Sequence, residues 1–309
     1  MFSLMFPGQG SQIVGMASEL YDNYDYVRDY FQNADDILKK KISKIILDGP
    51  KSELDKTENT QPAIFLTSYS IFKLIEKETS FKVHKAKYFA GHSLGEYSAL
   101  CCAKSINFEQ TIRLLKDRGE AMQNALPGGQ GGMLAILGAN VEQIKNILEE
   151  NSKNFNCYIA NDNSEGQIVV SGINKDLDKF GSLLKSNNIK YVKLSVSAPF
   201  HCPLMNTATE KMRKKIADTD FKDPLVKIVS NVSAKPVLNS GEIKKLLVEQ
   251  IEKPVRWRES IVNMIGSGVN QFIEIGPGKV LSGLTKRIDR NVKINHINSI
   301  DDVKNLIND

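Results

Sequence analysis

The stretch "KYFAGHSLGEYSAL", residues 87–100, sets a serine between two glycines at the join of a short apolar run and a helix-like one. Residues 88–90 have the composition of a strand end and residues 96–103 that of a helix start, which puts Ser93 at the corner. A strand-to-helix corner this tight forces its central residue toward unfavourable φ/ψ and leaves room only for hydrogen two positions before and two after. Gly91 and Gly95 leave that room. The pattern is the G-x-S-x-G nucleophile elbow, which lifts a hydroxyl above a sheet and points the next backbone N–H, that of Leu94, into the same space. Composition alone produces such a pattern in roughly one chain in ten of this length. The strand before and the helix after therefore weigh as much as the glycines.

A serine at its free pKa is a weak nucleophile and needs a base within hydrogen-bond reach. The chain has four histidines. His84, in the basic stretch "FKVHKAK", reads as a surface residue, and His296, in "VKINHINS", as a structural residue of a late strand. His92 is adjacent to Ser93, so its ring should diverge from the hydroxyl and line a substrate site or pack. His201, in "SAPFHCPLM", is bracketed by Pro199 and Pro203 in a rigid loop and is the expected base.

The elements that must position these groups alternate. "MFSLMF" reads as a buried first strand, followed by a turn and helices, with residues 39–44 as a solvated lysine-rich helix face. "QPAIFLTSYSIFKLIEK" predicts a long helix starting at Gln61-Pro62, with proline in the first turn. The elbow and "FEQTIRLLKDRGEAMQNAL", a further helix, come next. The breaker run "PGGQGG" marks a boundary. Beyond it, "MLAIL", "VEQIKNILEE", "CYIAN", "QIVVSG", "DLDKFGSLLK" and "YVKLSV" parse as βαββαβ, the ferredoxin-like split unit. The expected organisation is α/β: a large part with a parallel sheet, residues 1–128 and 198–309, and a small ferredoxin-like insert, residues 129–197. "VKIVSN" and "QFIEIGPG" return the chain to buried parallel strands. A cleft between the two parts is the natural place for a site.

Hydrophobic content of 41% and charged content of 25% are ordinary globular values, and no apolar run approaches the ~20 residues of a membrane span. The apolar start lacks the basic segment of a signal peptide, which points to the cytoplasm. Cys101, Cys102, Cys157 and Cys202 have the spacing of neither a disulfide framework nor a metal site and read as free thiols. A net charge of +5 is too mild for a nucleic-acid partner, though it favours an acidic one.

"FPGQGSQ", "GHSLGEYSAL", "DRGEAMQ", "NSEGQIVVSG", "FHCPLM", "EQIEKPVRW" and "EIGPGKVLSGL", in this order from end to end, closely resemble the malonyl-CoA:acyl-carrier-protein transacylases of fatty acid synthesis. The resemblance implies an α/β-hydrolase-like large subdomain with a ferredoxin-like insert. It also implies roles, residue by residue: Ser93 as nucleophile, His201 as general base and acid, and Gln250 orienting the His201 ring through its backbone carbonyl. Gln9 with the Leu94 N–H would form the oxyanion hole, and Arg118 would bind the malonyl carboxylate. Phe200 would favour malonyl over branched acyl groups. A planar guanidinium suits that carboxylate because it can grip it with two parallel hydrogen bonds. The implied partners are malonyl-CoA and the phosphopantetheine arm of acyl carrier protein. Exchange of thioester for thioester needs neither metal nor cofactor.

Two other readings share parts of this pattern. A thioesterase or lipase of the α/β-hydrolase type would use the same elbow with a histidine near the C-terminus, making His296 the base. A non-catalytic scaffold that binds a carrier protein would keep the fold and lose the chemistry.

Overall fold

A computed structural model describes residues 1–196 and 198–306; Ser197, at the expected end of the insert, and the last three residues lie outside the described residues. β1 (Phe2–Phe6) is buried over its last four residues. It lies between β2 (Phe89–Gly91) and β9 (Gln271–Ile275), parallel to both. β10 (Lys293–Ile297) extends the sheet beyond β9, and β7 (Ile228–Val229) beyond β2, again in parallel. β8 (Pro236–Val237) closes that edge antiparallel to β7. The strand order is β10-β9-β1-β2-β7-β8. Both faces are covered, as an apolar parallel sheet requires. Leu4 and Phe6 of β1 pack into one core with the helices Thr57–Glu78 and Phe108–Gln123, while Met5 packs into another with Trp257, Leu281 and Leu284.

The second sheet is antiparallel throughout. β3 (Gly131–Leu137), the helix Val141–Glu150, β4 (Cys157–Ser164), β5 (Gln167–Ile173), the helix Asn174–Ser186 and β6 (Lys190–Lys193) follow one another in the expected βαββαβ order. Their strand order is β4-β5-β3-β6. Alternation along the strands divides their side chains between two faces. Leu134, Ile136, Ile168 and Val170 pack under the two helices, while Met133, Ala135 and Val169 join the core of the larger sheet. β4 is tied to the larger part by backbone bonds, Val255 N–H to the Ala160 carbonyl at 2.8 Å and Asp162 N–H to the Val255 carbonyl at 3.0 Å. The chain is thus a mixed α/β protein with one mainly parallel sheet and one separate antiparallel sheet. Among the described residues no helix is long and apolar enough to cross a membrane.

Two local expectations are corrected. The long helix begins at Thr57 rather than Gln61, so Pro62 sits inside it. The earlier turn is held by the Lys56 carbonyl, which accepts the Asn59 and Thr60 N–H groups, and by the Thr60 hydroxyl, which donates to the Leu54 carbonyl at 2.5 Å. Of residues 39–44, only 42–44 are helical: Lys39 adopts φ 50, which ends the helix Asp25–Leu38, residues 39–41 connect, and the next helix starts at Ile42.

The loops after β1 and β2 leave the sheet at the carboxyl ends of adjacent strands, where open α/β sheets place ligands. Their approach depends on two missing side chains. A Cβ at Gly91 would meet backbone atoms of Gly95 at 1.9 Å, and a Cβ at Gly95 would meet the Phe6 carbonyl oxygen at 2.2 Å. Neither neighbour is a flexible side chain. Gly95→Ala is therefore expected to lower unfolding free energy by about 3 kcal/mol or more. Gly128→Ala, whose Cβ meets nothing within 4 Å, serves as the neutral control. Urea titration of both variants makes the comparison, and an unshifted midpoint for Gly95→Ala would disprove the close approach.

Candidate active site

Ser93 caps the elbow helix Leu94–Cys102 with φ 54 and ψ −109. His201, in the loop after β6, also has a positive φ, 57°. Backbone in this region costs a non-glycine residue about 1–3 kcal/mol and persists only where the surroundings impose it. At the elbow Asn231 imposes it: its Oδ1 accepts the Ser93 N–H at 2.7 Å, and its Nδ2 donates to the Gly91 carbonyl at 2.7 Å. At His201 the two ring nitrogens are held from opposite sides. Nδ1 is 2.7 Å from the Gln250 backbone oxygen and Nε2 is 2.8 Å from Ser93 Oγ. A carbonyl only accepts, so Nδ1 carries the proton and Nε2 is bare. The Ser93 hydroxyl therefore donates to Nε2. Burial, assisted by the Arg118 charge, pulls the His201 pKa down to about 3, which keeps the ring neutral and basic at its free nitrogen.

The guanidinium of Arg118 lies against the same serine. Nη2 donates to Ser93 Oγ at 3.0 Å and to Gln250 Oε1 at 2.9 Å, and Nη1 donates to Gln61 Oε1 at 2.8 Å. The residue is 1% exposed, its guanidinium carbon lies 5.6 Å from the centre of the Tyr97 ring, and its Nε has no hydrogen-bond partner among the described residues. A helical arginine is ordinarily solvated. Here Gly119 admits the backbone of Thr57 and Glu58 so closely that a Cβ would meet it at 2.7 Å, which brings the two helices together and sets Gln61 beside Arg118.

These groups open onto one cleft between the two sheets' cores. Met133 and Val169 of the second sheet, with Met122 and Leu194, form apolar walls, and Gln9 and Leu94 lie at the serine's end. Leu94 is the first residue of the elbow helix, where a backbone N–H has no partner within the helix. The Gln9 side chain is turned to Thr57, with its amide nitrogen 3.5 Å from the hydroxyl. Phe200 is buried and lines the cleft, and its carbonyl accepts the Ser171 hydroxyl at 2.6 Å. His92 also lines the cleft. Its ring turns from Ser93 toward Asn163, with Nε2 2.9 Å from Oδ1, and lies 5.6 Å from the Trp257 ring.

The other histidines lie elsewhere. His296 is on β10, beyond β9 and β1 from the elbow strand, and is not part of the cleft lining. His84 is not a surface residue as expected but half-buried: it stacks on Phe89 and its Nε2 is 3.0 Å from Glu76 Oε1, because its short helix folds back onto the sheet. All four cysteines are free and buried, and burial raises each thiol well above its ordinary range. Buried, neutral thiols of this kind are inert.

Several residues of the site were not singled out in the sequence: Gln61, Asn231, Tyr97 and Glu96. Glu96 is 2% exposed, and its Oε2 accepts the Asn231 N–H at 3.1 Å and the Gln250 side-chain amide at 2.7 Å. The one available signal was a carboxylate in the otherwise apolar run "LGEYSALCCA". Together the groups form a hydroxyl with a neutral base, a fixed cation beside it and backbone donors at the same point, which is equipment for acyl transfer through a serine ester.

The sequence matches the family model "Acyl transferase domain" over residues 3–302. It is 42% identical over 293 residues to a malonyl CoA-acyl carrier protein transacylase of Bacillus subtilis, covering 94% of this chain and 91% of that one. Its fold superposes with a TM-score of 0.96 and 38% identity on the crystal structure of an acyl-carrier-protein S-malonyltransferase from Bartonella henselae, covering 99% and 98% of the two chains. A malonyl-transacylase in complex with its type II PKS acyl-carrier protein gives a TM-score of 0.95 at 37% identity, with 99% of each chain covered. With a family model spanning almost its whole length and relatives of this identity and coverage, the chain belongs to the acyl transferase family, among the malonyl CoA-acyl carrier protein transacylases.

Proposed function

We propose that the protein moves the malonyl group of malonyl-CoA to the phosphopantetheine thiol of an acyl carrier protein through a malonyl ester on Ser93, supplying fatty acid elongation in the cytoplasm. The observation that carries this reading is the double engagement of Ser93 Oγ, by the bare nitrogen of a neutral His201 at 2.8 Å and by a buried guanidinium at 3.0 Å. The large subdomain, residues 1–128 and 198–309, is read as α/β-hydrolase-like, and residues 129–197 as a ferredoxin-like insert. The antiparallel strand order β4-β5-β3-β6 and the elbow after β2 support that division.

In the first half-reaction Ser93 Oγ bonds to the thioester carbon while its proton passes to His201 Nε2. The charge that develops on the carbonyl oxygen is met by the backbone N–H groups of Leu94 and Gln9. The carbon–sulfur bond then breaks, and His201 returns the proton to the departing CoA sulfur. The Gln250 carbonyl stabilises the imidazolium in between, whereas the nearby Arg118 charge hastens its deprotonation. In the second half the carrier's thiol gives its proton to His201 and attacks the ester, and the proton goes back to Ser93. Arg118 recognises the free carboxylate of the malonyl group. Phe200 limits the space beside it, and His92, held by Asn163, lines the same cleft. The apolar walls keep water from the ester.

The α/β-hydrolase reading with His296 as base has no support in the position of that residue on β10. The scaffold reading is opposed by the hydrogen-bonded Ser93–His201 pair.

Brief incubation with malonyl-CoA is expected to add one malonyl group, on Ser93, and Ser93→Ala should abolish it. Intact-mass and peptide mapping read the result, and an adduct on a cysteine would sink the mechanism. For selectivity, acetyl-CoA leaves the Arg118 charge unmatched in a desolvated site, so malonyl should be preferred by on the order of a hundredfold. Arg118→Ala should collapse the ratio of kcat/KM values for the two thioesters, and a mutant that keeps it would assign the carboxylate to another group. The pH dependence follows from His201. A base works only when unprotonated, so activity persists above its pKa and is lost as pH falls through it. With that pKa pulled to about 3, Ser93 loading should stay level from about pH 8 to pH 5. An acid limb at the ordinary histidine value would show that the ring is solvated.

A further inference from the structure

Between the reacting groups and the core of the elbow helix lies a side-chain amide with every polar atom engaged. Gln250 Oε1 accepts from Arg118 Nη2 at 2.9 Å. Its Nε2 donates to the Ser93 carbonyl at 3.1 Å and to Glu96 Oε2 at 2.7 Å. An amide can turn over, exchanging oxygen and nitrogen at little steric expense. Turned over, Gln250 would present N–H groups to the guanidinium, donor against donor. What opposes this is the pair of acceptors on its other side, the Ser93 carbonyl and, with the shorter bond, Glu96 Oε2. Glu96 Oε2 is a single oxygen that collects both the Gln250 amide and the Asn231 N–H, and Asn231 in turn holds the Ser93 N–H and the Gly91 carbonyl.

We propose that Glu96 is a positioning residue for substrate selection: its carboxyl oxygen fixes the orientation of the Gln250 amide, which in turn fixes the Arg118 guanidinium beside Ser93. The inference rests on the reading of the site as a malonyl transferase and adds to it the group that sets its cation in place. Glu96 touches neither the hydroxyl nor the lining of the cleft; it acts on the cation through Gln250 and on the elbow through Asn231. Burial raises its carboxyl to about 7, against the pull of its hydrogen bonds and of Arg118 on the neighbouring helix. Near neutrality it is therefore present in both forms, and in both one oxygen remains free to accept. The requirement is for an acceptor at this point, not for a full negative charge. An amide meets that requirement and a thioether does not.

The test compares Ser93 loading from malonyl-CoA and acetyl-CoA in wild type, Glu96→Gln and Glu96→Met. The ratio of the two kcat/KM values does not depend on how much of the preparation is folded, so a purely structural role would leave it unchanged. Glu96→Met is expected to reduce the malonyl-to-acetyl ratio by on the order of tenfold, and Glu96→Gln to stay within about twofold of wild type. Should Glu96→Met not accumulate, Gln250→Met removes that hydrogen bond together with the one to Arg118, keeps the backbone carbonyl for His201, and is expected to lower the ratio at least as far. A wild-type ratio in either methionine variant, or a Glu96→Gln variant as impaired as Glu96→Met, overturns the inference alone. A wild-type protein without malonyl preference overturns the reading of the site and this inference with it.

Discussion

A buried cation surrounded by neutral acceptors is the constraint on which this site depends. The guanidinium of Arg118 is removed from water, and among the described residues its hydrogen bonds go to two amide oxygens and a hydroxyl. Burying an unpaired charge is expensive, and the charge survives only where every surrounding dipole is oriented toward it. Gln61 and Gln250 turn their oxygens inward for this reason. Ser93 also turns its oxygen lone pair to the cation, and its proton is then left to face His201. The orientation of the Ser93 hydroxyl and the freedom of His201 Nε2 thus follow from one buried positive charge.

The scaffold meets this constraint with rigid elements. Helix Phe108–Gln123 carries Arg118 and helix Thr57–Glu78 carries Gln61, and Gly119 lets their backbones touch. The parallel sheet supplies the elbow at the carboxyl end of β2, and Asn231, next to the end of β7, clamps it from the neighbouring strand. Two residues with positive φ, Ser93 and His201, stand opposite one another across a hydrogen bond. Local strain of this kind needs a well-packed surround, and Trp257, Phe6 and Phe89 are fully buried beneath it. The second sheet adds no hydrogen bond to Ser93. It closes the cleft with Met133 and Val169 and holds the His201 loop through Ser171.

Much of this was legible in the residues. The elbow, the buried first strand and the βαββαβ insert were read from glycine placement and from periods of two and 3.6, and the elements of the second sheet fall within a few residues of those readings. The failures were local overrides. Pro62 suggested a helix start, yet side-chain hydrogen bonds upstream extend the helix by a turn. The lysines at 39–44 suggested a helix face, yet a single left-handed residue interrupts it. Arg118 and Gln250 entered only through family resemblance, since nothing in their spacing separates them from an ordinary helical arginine and glutamine.

The sequence by itself determined most of the elements and which serine and histidine face one another, because strand period, glycine crowding and a proline-bracketed histidine are consequences of local sterics. Only the tertiary structure decided which polar groups complete the site. Gln61 reaches Arg118 across 57 residues, Asn231 reaches Ser93 across 138, and Glu96 reaches Gln250 across 154. Such pairings have no local signature. A buried amide, asparagine or carboxyl is neutral or unfavourable to the element that carries it and becomes favourable only when folding delivers its partner into a space without water. The physical reason is therefore desolvation: it gives these hydrogen bonds their strength and specificity, and it exists only once the chain has closed around them.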